Sequence, residues 1–341
     1  MPLKSVLFFS FILFLFKCGG SNTSNFKILT GVKNDKAIWG DTLELKLNKT
    51  IEGAKVDYFL NNKPIKSNHV LTNEPLGTHP LKAVITQDET TFEKTINLTL
   101  LAQNPPKLYT YEVIDSYPHD ISAYTQGLEF DGEALYESTG LNGKSSLRIV
   151  DYKTGVILLN KALDKNFFGE GLTILKNKVI QLTWKSMKGL VYEKKTLKME
   201  KSFPFSSSKE GWGLCNDGYF LYKSDGTHRI WTIDAKNYEE KGNIQVMTHK
   251  TSLKNLNELE WVEGKIYANT YQFKKDVVVI IDPVSGAVEG VVDFSGLKEK
   301  VKQHEQLNVF NGIAYHSSRK TFFVTGKNWD TLFEVKIVPK E

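Results

Sequence analysis

Phe167-Phe168-Gly169-Glu170-Gly171-Leu172 sets one carboxylate between two glycines, directly behind two aromatic residues. Glycine lets backbone or substrate come close, and aromatic neighbours exclude water. A carboxylate so placed has a raised pKa and can pass protons. A lone Gly-Glu-Gly is more often a solvated turn. The recurrence of the stretch decides between the two. Tyr124-Thr125-Gln126-Gly127-Leu128, Gly211-Trp212-Gly213-Leu214, Asn257-Glu258-Leu259-Glu260 and Asn311-Gly312-Ile313-Ala314 align with it. With Gly127, Gly171, Gly213, Glu258 and Gly312 superposed, the steps are 44, 42, 45 and 54 residues.

Each unit passes through a turn signal, such as Asp131-Gly132 or Glu263-Gly264, into a second apolar run and then a third. The second runs are 135–137, 179–182, 219–222, 266–268 and 322–324. The third are 146–150, 190–192, 229–233, 277–281 and 332–335. Repeats of about 40 to 50 residues with four short strands predict a β-propeller. Five units imply an all-β, five-bladed β-propeller over residues 108–338. The last unit stops after its third strand. Tyr109–Ile114 precedes the first unit and has no repeat of its own, so it is expected to supply the missing outer strand. An open array would leave unpaired edges.

The 341 residues are too many for one typical domain. Residues 26–101 read as a small β-sandwich, immunoglobulin-like in style, with alternation in 42–47 and 54–60 and further strands at 81–86 and 92–100. Residues 102–107, with Pro105 and Pro106, form a linker. The net charge of +5 comes from scattered lysines, which argues against a nucleic-acid partner. Lys4 and the apolar run Val6–Phe16 read as an export signal over residues 1–18, too short to span a bilayer. Cys18, followed by a small polar tether over 19–25, resembles the lipidated cysteine of bacterial lipoproteins. The expected location is the periplasm or cell envelope, lipid-anchored at Cys18, with plain secretion as the alternative. Only Cys215 remains besides Cys18, so no disulfide framework exists. The histidines show no metal-ligand spacing.

The repeat also says which residues meet. The start of each first strand brings Gln126, Glu170, Trp212, Asn257 and Asn311 to one ring. The end of each second strand adds Ser138-Thr139, Trp184, Ser224-Asp225, Tyr271 and Lys327. Both rings fall at the same end of the channel if every blade runs alike. A few polar groups among aromatics is the usual form of a small-ligand pocket. Bland readings stand beside this one. Trp184 and Trp212 could pack between blades, Asn257 could bond a turn, and Lys327 could be solvated. Glu258 and Glu260 could exchange roles with Asn257.

Tyr124–Leu128, Phe168–Gly171, Leu256–Trp261 and Val324–Trp329 resemble, in order and separation, the plant and bacterial type of glutaminyl cyclase. The resemblance covers about Leu108 to Val338. It implies a five-bladed propeller, no metal or other cofactor, and conversion of N-terminal glutaminyl residues of peptides to pyroglutamate with release of ammonia. It carries the catalytic acid/base onto Glu170, with Asn257 and Lys327 beside it. It carries substrate binding onto Tyr124, Gln126, Trp184, Trp212 and Tyr271. Tyr124 stands where phenylalanine is usual and Tyr271 where tryptophan is usual, so substrate preference is open. Lys327 could stabilise an oxyanion or tune Glu170. The expected partners are Gln-initiated peptides, and the expected state is a monomer. Two competing readings are a non-catalytic propeller that binds peptide ends or sugars, and a surface scaffold whose sandwich is adhesive.

Overall fold

The computed structural model describes residues 26–341. The export signal, Cys18 and the tether lie outside the described residues. Among the described residues no helix is long and apolar enough to cross a membrane.

From Thr125 the chain repeats four antiparallel strands joined in order. The first unit is Thr125–Asp131, Ala134–Thr139, Ser146–Asp151 and Val156–Ala162. The second unit begins with Gly169–Leu175, the third with Leu214–Asn216 and the fourth with Leu256–Val262. The fifth holds Phe310–His316, Thr321–Gly326 and Thr331–Pro339. Its fourth strand is Lys107–Pro118, antiparallel to Thr331–Pro339. First strands of successive units are neighbours, and that of the fifth lies against that of the first, so the units form a closed ring. Closure occurs where the sequence placed it, but with a longer strand. Lys107, expected in the linker, already pairs: Lys107–Tyr109 runs parallel to Gly290–Val292 and joins the last two units into one sheet.

The inner strands approach so closely that glycine is required. A Cβ on Gly171 would lie 2.6 Å from the Leu214 nitrogen, and one on Gly213 would lie 2.0 Å from the Asn257 carbonyl oxygen. The fourth unit carries Glu258 at this register. Its carboxylate crosses the channel and accepts from the Ile313 and Leu128 N–H groups at 3.0 and 3.3 Å. Glu260 accepts from the Tyr315 N–H at 2.9 Å. Both carboxylates therefore satisfy backbone, and neither takes the place of Asn257.

Four inner strands slip register at the repeat: between Thr125 and Gly127, Gly169 and Leu172, Leu256 and Leu259, and Phe310 and Ile313. Gln126, Glu170, Asn257 and Asn311 sit in those slips. A bulge releases a side chain from strict alternation and re-aims it.

Residues 26–102 form a five-stranded sheet in the order Lys36–Ala37, Thr90–Leu100, Gly77–Gln87, Lys55–Leu60, Lys63–Ile65, with two two-stranded sheets beside it. The alternating run 42–47 is split. Thr42–Glu44 pairs with Asn68–Val70, whereas Lys46–Leu47 pairs with Ile28–Leu29. The Leu45 N–H between them donates to the Ser67 carbonyl at 2.7 Å. This region is fastened to the ring. Met247 is buried in its core, and Gln245 exchanges hydrogen bonds with both backbone groups of Thr78 at 3.1 and 3.3 Å.

A buried polar lock fixes the ring where its ends meet. His119 Nε2 bonds Glu137 at 3.0 Å, and Nδ1 bonds the Trp329 carbonyl at 2.8 Å. Thr125 Oγ1 donates to the same carboxylate at 2.8 Å. Burial opposes charge on both partners, but the opposite charge and the hydrogen bonds win. The His119 pKa is raised above 6.5, and that of Glu137 is lowered below 4.5. The raised histidine contributes stability fully below its unfolded pKa and loses it as pH rises through the folded value. The lowered glutamate contributes fully above its unfolded pKa and loses it as pH falls through the folded value. The pair therefore stabilises most between pH 4.5 and 6.5. Glu137→Ala leaves a buried charge unpaired and should cost about 3–5 kcal/mol in urea unfolding at pH 6. A loss under about 1 kcal/mol would mean that the lock does not hold the ring.

Candidate active site

At the mouth of the ring lies a pocket of about 310 Å³ lined by Tyr124, Gln126, Phe168, Glu170, Trp184, Trp212, Asn257, Tyr271 and Lys327. All eight site residues named from the sequence therefore meet in one place. Asn311 does not line it. Its amide donates to the Thr125 carbonyl at 3.0 Å and to Gln126 Oε1 at 3.4 Å, and so orients Gln126 from behind. Ser138 and Ser224 do not line it either. Their hydroxyls donate to the carbonyls of Glu170 and Asn257, and each braces the bulge of the next unit.

The walls form a collar of rings. Tyr124 meets Phe168 edge-on at 6.2 Å, and Phe168 meets Trp184 at 5.5 Å. Across the pocket Trp212 meets Tyr271 edge-on at 5.9 Å. Two charged side chains bridge the gaps. Lys327 Nζ stands 4.7 Å from the centre of the Tyr124 ring and 5.2 Å from that of Tyr271. Glu210 Oε2 accepts from the indoles of both Trp184 and Trp212, each at 2.8 Å. The backbone carbonyl of Glu210 accepts in turn from buried Lys223 at 3.0 Å, which pairs with Glu240 at 3.3 Å.

Gln126, Glu170 and Asn257 form the floor, all at most 4% exposed. Asn257 Oδ1 is buried with no hydrogen-bond partner among the described residues. Burial pushes the Glu170 pKa well above the ordinary carboxylate value. Lys327 opposes that rise, and the charge of Glu210 adds to it. Burial likewise pulls the Lys327 pKa down to about 8, against the charge of Glu170. The acid and the amine are thus each drawn toward neutrality by burial, and each holds charge on the other. Tyr124 is pushed up to about 12 by burial, then by Tyr271 and Glu170, so its hydroxyl stays protonated.

Two lining or supporting residues lie outside the set expected from the sequence. Phe168 is expected there only as a neighbour of Glu170. Glu210 is not expected, although the repeat marks it. Three residues before the aligned glycine stand Tyr124, Phe168 and Glu210, so the carboxylate occupies the register of two collar rings.

A buried acid of raised pKa, a cation of depressed pKa and an unpartnered amide oxygen inside an aromatic collar have the form of an enzyme pocket for a small polar group. Comparisons with known proteins agree on which class of enzyme. The glutamine cyclotransferase family matches residues 83–337. A glutaminyl-peptide cyclotransferase of Arabidopsis thaliana is 37% identical over 229 residues, which cover 66% of this chain and 71% of that protein. The crystal structure of a Myxococcus xanthus glutaminyl cyclase superposes with a TM-score of 0.64 at 32% identity, over 69% of this chain and 100% of that one. The chain belongs to the glutamine cyclotransferase family. The family match begins within the strand Gly77–Gln87, upstream of the ring.

Glu210→Gln removes a negative charge that raises Glu170 but keeps an oxygen able to accept from both indoles. The acid limb of the pH–rate profile should move to lower pH, with KM little changed. An acid limb at the wild-type position would show that Glu210 does not act on Glu170.

Proposed function

We propose that the ring is a five-bladed β-propeller and that its pocket cyclises N-terminal glutaminyl residues of peptides to pyroglutamate, with release of ammonia. The observation that carries this reading is a carboxylic acid of raised pKa, Glu170, sharing a buried floor with the unpartnered oxygen of Asn257. The relatives described above bear the corresponding names.

The chemistry follows from the floor and the collar. The neutral α-amine attacks its own side-chain carboxamide carbon, a carbon–nitrogen bond forms, and the amine gives a proton to Glu170. Glu170 returns that proton to the amide nitrogen as the second carbon–nitrogen bond breaks, and ammonia leaves. One proton moves from the entering nitrogen to the leaving one, so nothing else is consumed. An acid whose pKa lies near the working pH serves both steps. The reaction is intramolecular, so holding the side chain curled is much of the task. Trp184, Trp212, Tyr271, Phe168 and Tyr124 pack its methylenes. Asn257 Oδ1 accepts from an N–H of the substrate, and Gln126 bonds its backbone or amide. Lys327 stabilises the tetrahedral oxyanion.

Glu170→Gln should fold with an unchanged thermal midpoint, bind substrate, and release ammonia from a Gln-initiated dipeptide at least about 100-fold more slowly. Full turnover in that variant removes Glu170 from the mechanism, and absence of ammonia with the intact protein favours mere binding of peptide ends. The role of Lys327 has its own test. An ammonium with a pKa of about 8 loses its charge above that pH. The rate should fall there, and Lys327→Arg, which stays charged, should abolish that alkaline limb.

We further propose that residues 26–101 are an immunoglobulin-like module docked on the catalytic ring and joined to it through residues 102–106, and that the protein is exported and lipid-anchored at Cys18. The support for export and anchoring is the order of basic, apolar and small residues ending at that cysteine. The intact mass of the mature protein should carry acyl chains on an N-terminal Cys18. A mature chain starting elsewhere without lipid refutes the anchor.

A further inference from the structure

A second cleft, of about 570 Å³, opens beside the pocket and shares Trp212 with it. One side is the loop that carries Lys209 and Glu210. The other is the turn Asp225-Gly226-Thr227, with Arg229 and Trp231 behind it. The turn lies directly on the indole: a Cβ on Gly226, whose φ is +76°, would sit 2.6 Å from Trp212 Cζ2. Trp212 is therefore a partition with the pocket on one side and the cleft on the other.

The charges in the cleft are unevenly committed. Asp225 accepts from the Thr227 N–H at 3.0 Å, the Thr227 hydroxyl at 2.6 Å and the Trp231 indole at 2.7 Å. The carboxylate of Glu210 is spent on its two tryptophans. Arg229 is half-buried, and no carboxylate among the described residues pairs with it. Lys209 is exposed at the rim and likewise unpaired. A hollow with satisfied acids and unsatisfied cations selects for an anion, and a guanidinium matches a carboxylate in shape as well as charge.

We infer that this cleft receives the peptide residues that follow the N-terminal glutamine and favours a carboxylate there, held by Arg229 with help from Lys209. The inference rests on the glutaminyl cyclase reading above. A glutamine seated in the pocket has its chain continuing out of the mouth, and the cleft across Trp212 is where two or three further residues can lie. The carboxylate is either an acidic side chain or the C-terminus of a very short peptide.

The test measures kcat/KM for Gln-Glu-Ala-amide, Gln-Lys-Ala-amide, Gln-Ala and Gln-Ala-amide, each divided by the value for glutaminamide, which is too short to reach the cleft. The intact enzyme should prefer Gln-Glu-Ala-amide to Gln-Lys-Ala-amide by about tenfold, the size of one charge-assisted contact. Arg229→Glu should reverse the preference, Arg229→Lys should keep most of it, and Lys209→Glu should reduce it. The drop in Gln-Ala relative to Gln-Ala-amide on mutating Arg229 reports a terminal carboxylate, and the drop for the tripeptide reports a side chain. A Glu-to-Lys ratio that stays the same within about twofold in the intact enzyme, Arg229→Glu and Lys209→Glu overturns the subsite. Failure of the intact enzyme to cyclise even glutaminamide overturns the parent reading instead.

Discussion

The inner strands of this ring pass one another at distances that tolerate no side chain, and most of the functional geometry follows from that constraint. A strand pressed so tightly against its neighbours cannot keep an unbroken ladder with its own hairpin partner. It slips, and the slipped residue turns away from the sheet. Gln126, Glu170 and Asn257 are such residues. The glycines that allow the approach and the polar groups that form the pocket floor are thus adjacent for one steric reason. Where glycine is absent, at Glu258, the side chain crosses the channel and ties two other strands together by their N–H groups.

The collar explains how charged groups persist in so dry a site. Burying an isolated ion costs several kcal/mol, and partners must offset it. Lys327 is held by the faces of two tyrosines and by the nearby Glu170. Glu210 is held by two indole donors. Each ion closes a gap in the wall, so the groups that set the local field also set the shape. Behind Glu210 the pair of Lys223 and Glu240 steadies the loop by its backbone. The site is therefore built in layers: rings around the pocket, ions between rings, and a buried pair behind the ions.

The repeat makes much of this legible in the sequence alone. Aligning the starts of the first strands and the ends of the second was enough to bring Glu170, Lys327 and Asn257 to one mouth, because a closed ring converts equal register into spatial proximity. Register says less about what does not repeat. Glu210 breaks the aromatic pattern set by Tyr124 and Phe168, and its reach to two indoles comes from side-chain length rather than period. Asn311 sits in register but spends its amide on Gln126. In the upstream region, alternation over 42–47 identified a strand face but not its partners. Alternation reports which side is buried, and hydrogen bonding at Leu45 decides where one sheet ends and the next begins.

One sheet of the ring holds strands from both ends of the catalytic region, Lys107–Pro118 and Thr331–Pro339. A polypeptide emerging residue by residue thus cannot complete its pocket early. Lys327 and the strand Thr331–Pro339 are made long after the acid at Glu170. Until then the carboxylate and its aromatic neighbours have no finished enclosure, and the partly synthesised molecule lacks the cation that completes its active site.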